Sequence, residues 1–282
     1  MRMLLVLLTL FAQSALAAEP VLPVQPVLPV QLVLPVQPVK VLAAGSLTGA
    51  LNAVIKLYEE KTGQRVQAEY GPAGLLRERI EGGEYPDIFA SANMAHPQAL
   101  ADRGLATQPV VMARNRLCAR ALPGFGLTTH NVLPRLLDPK VGLGTSTPKA
   151  DPGGDYAWEL FARAEKVQPG AQAILEKKAQ QLVGGKNNPP VPAGKDGMAY
   201  AFEQHKIDIS LGYCSSRQTT SDPKLTSVEL PPEIAVHADY GMSVLSNREA
   251  ALRFALFVMS PEAQRVIGMY GFTPVADRHA AP

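Results

Sequence analysis

The stretch Val39-Lys-Val-Leu-Ala-Ala-Gly-Ser-Leu-Thr-Gly-Ala-Leu-Asn-Ala-Val-Ile-Lys-Leu-Tyr-Glu-Glu-Lys-Thr-Gly63 sets the fold class. Val39–Ala43 is a short apolar run rich in β-branched residues, which predicts a buried strand. Leu51, Val54, Ile55 and Tyr58 then fall at i, i+3, i+4 and i+7, one face of a helix that stops near Gly63. Between the two lies a turn of small residues, Ala44-Gly45-Ser46-Leu47-Thr48-Gly49. A strand entering a helix through such a turn is half of a βαβ unit.

Downstream the alternation repeats. Arg65–Tyr70 alternates as a second strand, followed by a helix carrying Leu75, Leu76 and Ile80 that ends at Gly82-Gly83. Asp87–Ala90 is a third strand, and Pro97 opens the next helix in its first turn. Strand signals continue at Val110–Ala113, Arg116–Arg120, Val141–Gly144, Ile207–Tyr213 and Gly241–Leu245. Helical faces gather around Trp158-Leu160-Phe161, Ile174-Leu175-Leu182 and Leu252-Ala255-Leu256. Ser260-Pro261-Glu262 supplies an N-cap, a first-turn proline and an early acid for a last helix that Gly271 stops. Strands alternating with helices predict an α/β fold with a mostly parallel sheet covered on both faces. The alternating region exceeds a typical single domain, which predicts two lobes.

Upstream of Val39 the pattern is different. The segment 18–38 holds a period-six repeat, Val21-Leu-Pro-Val-Gln-Pro26, Val27-Leu-Pro-Val-Gln-Leu32 and Val33-Leu-Pro-Val-Gln-Pro38, whose prolines block helix and sheet and predict an extended spacer. Before it, Met1-Arg2-Met3, the apolar run Leu4–Phe11 and Ala15-Leu16-Ala17 have the form of a secretory signal peptide over residues 1–17. No later segment approaches about 20 uninterrupted apolar residues. The expected location is therefore the periplasm.

Of 282 residues, 27 are Lys or Arg and 25 Asp or Glu, and aromatics make up 6%. This balance excludes a polycationic nucleic-acid binder and leaves little material for base-stacking platforms. Cys118 and Cys214 leave room for one disulfide, but the general tendency of free Cys to be buried favours two separate thiols. His96, His130, His205, His237 and His279 have no metal-ligand spacing and read as surface residues. No Gly-x-Ser-x-Gly elbow, Walker loop or Gly-x-Gly-x-x-Gly occurs, and no His is placed by the sequence to activate Cys214.

Three strand ends run into small-residue turns that open helices: Ala44–Gly49, Tyr70-Gly71-Pro72-Ala73-Gly74, and Thr145-Ser146-Thr147-Pro148-Lys149-Ala150-Asp151-Pro152-Gly153-Gly154. At such a turn the first helical N–H groups are unpaired and the dipole is positive, so an anion is favoured. Taken singly, Ser46 or Asp151 reads as an ordinary N-cap; the convergence of three turns points to an anion site at the carboxyl ends of the strands.

Four stretches carry a family resemblance: Leu42–Leu51, the run Leu76-Arg-Glu-Arg-Ile-Glu-Gly-Gly-Glu-Tyr-Pro-Asp-Ile-Phe-Ala-Ser-Ala-Asn93, the strand Asp208–Tyr213, and Ser260–Phe272. Together they resemble the periplasmic molybdate-binding proteins of ABC transporters, over nearly everything from Val39 to about Pro274. The resemblance implies the type II periplasmic-binding-protein fold, with mixed, mostly parallel sheets and a hinge cleft. Residues 39–114 plus 235–282 would form lobe 1 and residues 115–234 lobe 2. It implies an exported monomer that takes up molybdate or tungstate and delivers it to a membrane permease, with no cofactor and no catalysis.

Carried across residue by residue, the resemblance makes Ser46 the serine that binds ligand after the first strand. The family's second serine falls within Pro72-Ala73-Gly74, where only backbone N–H groups of Ala73 and Gly74 could serve. Gly153 matches a small residue whose N–H points at the anion, and Tyr213 matches a tyrosine whose hydroxyl donates to it. A further contact falls in Gly194-Lys195-Asp196-Gly197, represented by Lys195, and Lys149 or Lys195 could add charge to the cleft. No residue should ligate the metal directly. Asp151 resembles the first of two carboxylates found in relatives that favour tungstate, but the second position is Gly212, so Asp151 is expected to cap the helix beginning at Pro152. The missing second serine keeps sulfate, thiosulfate or a small organic anion open as ligands; a secreted hydrolase is the remaining alternative.

Overall fold

The computed structural model describes residues 37–192, 195–215 and 225–275. The signal peptide, the spacer up to residue 36, Gly194 and His279 lie outside the described residues. In chain order the elements are β1 (Val39–Ala44), α1 (Thr48–Thr62), β2 (Val66–Gly71), α2 (Ala73–Glu81), β3 (Ile88–Ser91), α3 (Ala95–Asp102), β4 (Val110–Ala121), α4 (Val132–Leu137) and β5 (Leu143–Ser146). These continue into α5 (Pro152–Val167), α6 (Ala171–Lys178), β6 (Ala179–Val183), α7 (Gly197–Glu203), β7 (Ile209–Tyr213), β8 (Thr226–Glu229), β9 (His237–Val244), α8 (Glu249–Val258) and α9 (Pro261–Met269).

The fold is α/β, as the alternation predicts, and the sheet is mixed. Its strands run in the order β2-β1-β3-β9-β4-β7-β5-β6, with β8 also on β4. Pairing is parallel for β1 with β2 and β3 and for β5 with β6 and β7. It is antiparallel where β9 and β4 join the two ends. Strand β4 is the bridge: Val110–Arg116 pair with β9, whereas Leu117–Arg120 pair with β7. Two separate strands were expected here, at Val110–Ala113 and Arg116–Arg120. Arg114 and Asn115 interrupt the apolar pattern, yet the backbone ladder runs through them. Leu182, expected on a helical face with Ile174 and Leu175, lies instead in β6, because α6 ends at Lys178.

Two large hydrophobic cores lie along this sheet, beside a small cluster of Leu182, Ala201, Phe202 and Ile207. One is built from residues between Val39 and Ala113 together with Ala238–Phe272. The other is built between Leu117 and Val236 around Leu143, Leu160, Phe161 and Ile209. The face predicted for the first helix is the buried one, Leu51, Val54, Ile55 and Tyr58, and Gly63 closes that helix with φ 70°. Ser260 caps α9 through the Ala263 N–H at 3.3 Å.

Two sequence expectations change here. Gln37 and Pro38, the end of the proline-rich segment, are docked: Arg248 donates to both carbonyls, at 3.0 and 3.2 Å, and Gln64 donates to Gln37 at 3.0 Å. His96 is buried at 6% exposure rather than superficial, and neither ring nitrogen has a partner among the described residues. Burial, and then nearby Arg77, holds its pKa down to about 4, with Glu81 pulling the other way. The unfolded chain therefore takes up this proton first, near the ordinary value of about 6.5. Stability should fall as the pH drops from about 6.5 to about 4, by at most about 3 kcal/mol, and this step should be absent in His96→Leu. Urea midpoints measured across that range for both proteins check it.

Candidate functional site

Between the two cores three tyrosines meet edge to face, Tyr240 buried and Tyr156 and Tyr213 half-buried, a geometry that aromatic quadrupoles favour. Tyr213, the last residue of β7, lies 6.3 Å from Tyr156 of α5 and 5.5 Å from Tyr240 of β9, ring centre to ring centre. Tyr240 in turn packs on Phe272 at 5.3 Å. Tyr156 touches both cores and donates its hydroxyl to the Ala92 carbonyl at 3.2 Å.

Ser46 stands in the turn after β1, half-buried, and its Oγ accepts from the Tyr240 hydroxyl at 2.9 Å. Behind Tyr240 is Asn115, buried in the middle of β4. Its Nδ2 donates to Ser215 Oγ at 3.0 Å and to Tyr240 Oη at 3.4 Å, while its Oδ1 accepts the Arg116 N–H at 2.9 Å. Ser46 and Tyr213 are thus brought together around Tyr240. The Tyr213 hydroxyl is sealed from solvent; the Tyr240 hydroxyl is its neighbour, but no well-formed hydrogen bond holds it among the described residues. Burial, followed by Tyr240, Asp151 and Tyr156, keeps its phenol proton well above the ordinary range. A buried donor left without an acceptor costs about 1–3 kcal/mol, so it marks a position where an acceptor belongs.

The end of β7 is clamped. Arg120 of β4 donates to the carbonyls of Tyr213 and Ser215. Between those two residues Cys214 is disulfide-bonded to Cys118, a correction to the two separate thiols expected from burial tendency. Antiparallel pairing of β4 with β7 sets Cys118 opposite Gly212, two residues before Cys214, and the two Cα atoms lie 5.0 Å apart.

The other two small-residue turns meet each other. A Cβ on Gly74 would lie 2.2 Å from the Lys149 carbonyl oxygen, and the Gly74 N–H donates to the Ala150 carbonyl at 2.9 Å. Gly74 is therefore required for close approach of the α2 start to the loop before α5, and its N–H is engaged by protein. Ala73 beside it is buried. The Gly153 N–H is engaged too, by Asp151 Oδ1 at 3.1 Å, so Asp151 is the N-cap of α5, as expected. Asp151→Ala should lower stability by about 1 kcal/mol, the usual cost of losing a cap, read as a shift in the urea midpoint.

Lys195 is engaged away from the cluster. Its N–H donates to the Pro192 carbonyl at 3.1 Å and its ammonium pairs with Glu203 at 2.8 Å, both outside the tyrosine cluster. Tyr240, Asn115, Ser215 and Tyr156 belong to the cluster and escape sequence reasoning. For Asn115 a signal was present, a lone uncharged amide between two apolar strand signals. Tyr240 carries none, because it falls one residue before the predicted strand.

What the cluster offers chemically is a group of neutral O–H donors in a buried junction. Among the described residues no three His, Cys, Asp or Glu side chains are grouped to hold a metal ion, and no helix is long and apolar enough to cross a membrane.

Known proteins share this architecture. An uncharacterised protein of Pasteurella multocida is 36% identical over 244 residues, which is 84% of this chain and 98% of that one. The solved periplasmic molybdate-binding protein of Azotobacter vinelandii superposes with a TM-score of 0.67 at 16% identity, covering 83% of this chain and 98% of that chain. The sulfate-binding protein SubI of Mycobacterium tuberculosis gives 0.69 at 16% identity over 85% of this chain and 87% of its own. At such identities these two likenesses are of fold. Residues 39–273, which span both cores and the tyrosine junction, match the bacterial extracellular solute-binding proteins, and the chain belongs to that family.

Proposed function

We propose that this protein is an exported receptor that captures a tetrahedral oxyanion, molybdate or tungstate, at the tyrosine junction and passes it to the membrane permease of an ABC importer. The observation that carries this reading is the Tyr213 hydroxyl, sealed from solvent, kept protonated and held by no well-formed hydrogen bond, in the same cluster as the Ser46 hydroxyl. The molybdate-binding protein of Azotobacter vinelandii, similar in fold, supports the ligand class. Residues 39–114 with 235–282 act as one lobe and 115–234 as the other, and the Gly74–Ala150 contact belongs to the closed form. The protein works as a monomer in the periplasm without a cofactor and without catalysing a reaction.

A second reading, sulfate or a small organic anion in the same place, is favoured by one feature. The Pro72–Gly74 turn lacks a hydroxyl, and its Gly74 N–H is already bonded to Ala150, so the site has fewer donors than a large tetraoxo anion could use.

Calorimetric titration of the purified protein with molybdate, tungstate, sulfate and phosphate separates the two readings. Tyr213→Phe should weaken binding of the preferred anion by one charge-assisted hydrogen bond, about 1.5–3 kcal/mol or roughly 10- to 150-fold. Ser46→Ala should cost less, because its backbone N–H remains. If none of the four anions binds, the oxyanion reading is wrong.

A further inference from the structure

We propose that the Cys118–Cys214 disulfide positions the Tyr213 hydroxyl for its ligand, so that the chain binds well only in its oxidised form. Both cysteines are positioning residues, acting through the backbone at the end of β7. The inference rests on Tyr213 as a ligand contact, the reading proposed for the junction, and adds to it a dependence on thiol oxidation.

The bridge sits where the chain that carries Tyr213 leaves the sheet. In the β4–β7 ladder the last pair is Leu117 with Tyr213, one residue before Cys214. Side chains alternate along a strand, so Leu117 and Tyr213 share one face while Cys118, Gly212 and Cys214 share the other. The disulfide therefore lies across the sheet from the Tyr213 ring and acts on a ligand only through the backbone.

Strand β4 holds residues 213–215 by hydrogen bonds as well. The Cys214 N–H donates to the Arg116 carbonyl at 2.9 Å, Arg120 donates to the carbonyls of Tyr213 and Ser215, and Asn115 donates to Ser215 Oγ at 3.0 Å. Each of these bonds exchanges with water at little net cost, whereas the disulfide does not. The Tyr213 ring is wedged between Tyr156 and Tyr240, and no well-formed hydrogen bond fixes its hydroxyl among the described residues. That hydroxyl ends a rigid ring, so a tilt of the backbone at residue 213 is carried to it, and hydrogen bonds weaken steeply off line.

Reduction removes the covalent tie and leaves the hydrogen bonds, which loosens the site without dismantling it. Cys214 is half-buried and Cys118 is 2% exposed, so a dithiol reductant reaches the bridge from the Cys214 side. Its thiolate attacks Cys214 Sγ, the S–S bond breaks, and Cys118 leaves as a thiolate and takes up a proton. The second thiol of the reductant then closes its own disulfide and releases Cys214, which is protonated in turn. Two electrons and two protons pass from the dithiol to the protein. A chain whose cysteines are thiols then takes up little ligand, and capture begins where thiols are oxidised.

The test compares the oxidised chain, the same chain reduced with dithiothreitol that is then removed under nitrogen, and the Cys118→Ala/Cys214→Ala double variant. Added sucrose favours the folded state of the unbridged forms, and circular dichroism checks it. Calorimetry with molybdate and with sulfate reads the affinity. Loss of the bridge should weaken binding of the better anion about tenfold, and by no more than Tyr213→Phe does. In Tyr213→Phe, whose hydroxyl is gone, reduction should change affinity by less than about twofold. A disulfide that acts only on the unfolded chain leaves the affinity of the folded protein unaltered. A second readout needs no ligand: in protein labelled at tyrosine, the Tyr213 NMR signal, identified by its loss in Tyr213→Phe, should shift or split on reduction, while that of Tyr85, 83% exposed, stays in place. Unchanged affinity in the folded, reduced chain overturns the proposal, as does an equal loss in the Tyr213→Phe background, and in both cases the oxyanion reading stands. If the oxidised chain binds neither anion, the oxyanion reading loses its support and the NMR decides the positioning alone: a Tyr213 signal that does not move on reduction overturns it. A chain that unfolds without the bridge overturns it too, because the bridge then supports the whole second core rather than Tyr213.

Discussion

Replacing Cys118 and Cys214 together with alanine should lower folding stability by about 4–5 kcal/mol, the largest effect expected of any change considered for this protein. The disulfide closes a loop with a sequence separation of 96 residues. That loop contains most of the second core, including Leu143, Leu160, Phe161, Leu175 and Ile209. In the chain-entropy account, a cross-link over about 100 residues removes close to 4.7 kcal/mol of freedom from the unfolded ensemble. For a domain of this size the loss corresponds to a fall in Tm of roughly 10–20 °C. Urea unfolding of the oxidised protein and the double variant measures it, and a difference below about 1 kcal/mol would show that the bridge does not constrain the unfolded chain. The bridge is also local to the site, since it holds the residue between Tyr213 and Ser215.

Asp87→Ala should cost about 3 kcal/mol, the second largest effect. Asp87 is 4% exposed, at the start of β3, and its carboxylate gathers three elements. It accepts from the Lys40 N–H of β1 at 2.8 Å, from Ser246 Oγ after β9 at 2.6 Å, and from Arg248 Nη1, at the N-cap of α8, at 2.7 Å. Its backbone adds two bonds, N–H to the Lys40 carbonyl and carbonyl to the Leu245 N–H, each 2.8 Å. Removing one partner of a buried ion pair usually costs about 3–5 kcal/mol, because the other charge is left uncompensated. The lower end applies here, because the Arg248 side chain is 34% exposed and keeps the Gln37 and Pro38 carbonyls. Asp87→Asn retains part of the network and should lose less than half as much. A loss below about 1 kcal/mol for the alanine variant, by the same unfolding measurement, would contradict the assignment of Asp87 as the knot of the first core.

How much of this was legible beforehand depended on range. Helix α1 was legible because four apolar side chains at helical spacing need only one another to define a face, and Gly63 supplies the left-handed stop. The cap of α9 at Ser260 and that of α5 at Asp151 were legible for the same reason, since a side chain two or three residues from its partner N–H is nearly enough to specify the bond. Strand β4 was half legible. Its apolar ends were clear, but Arg114, Asn115 and Arg116 face polar partners that only the folded chain supplies: Asp239 for Arg114 and Glu229 for Arg116 as ion pairs, and Tyr240 and Ser215 for Asn115. His96 reads as polar and hence superficial, yet the packing of α3 encloses it. Lys195 was drawn into the site by resemblance, whereas the nearby carboxylate of Glu203 holds its ammonium.

By itself, then, the sequence determined the α/β class, most helix ends, and the presence of Ser46 and Tyr213 at strand ends. Only the tertiary structure decided which groups meet. Ser46 finds Tyr240 across 194 residues, Asn115 finds Ser215 across 100, and Cys118 finds Cys214 across 96. The physical reason is that periodicity and capping are short-range and repeat within a turn or a pleat, whereas a contact between distant residues is specified by strand order and by the packing of two cores, to which every residue contributes and which no local pattern encodes.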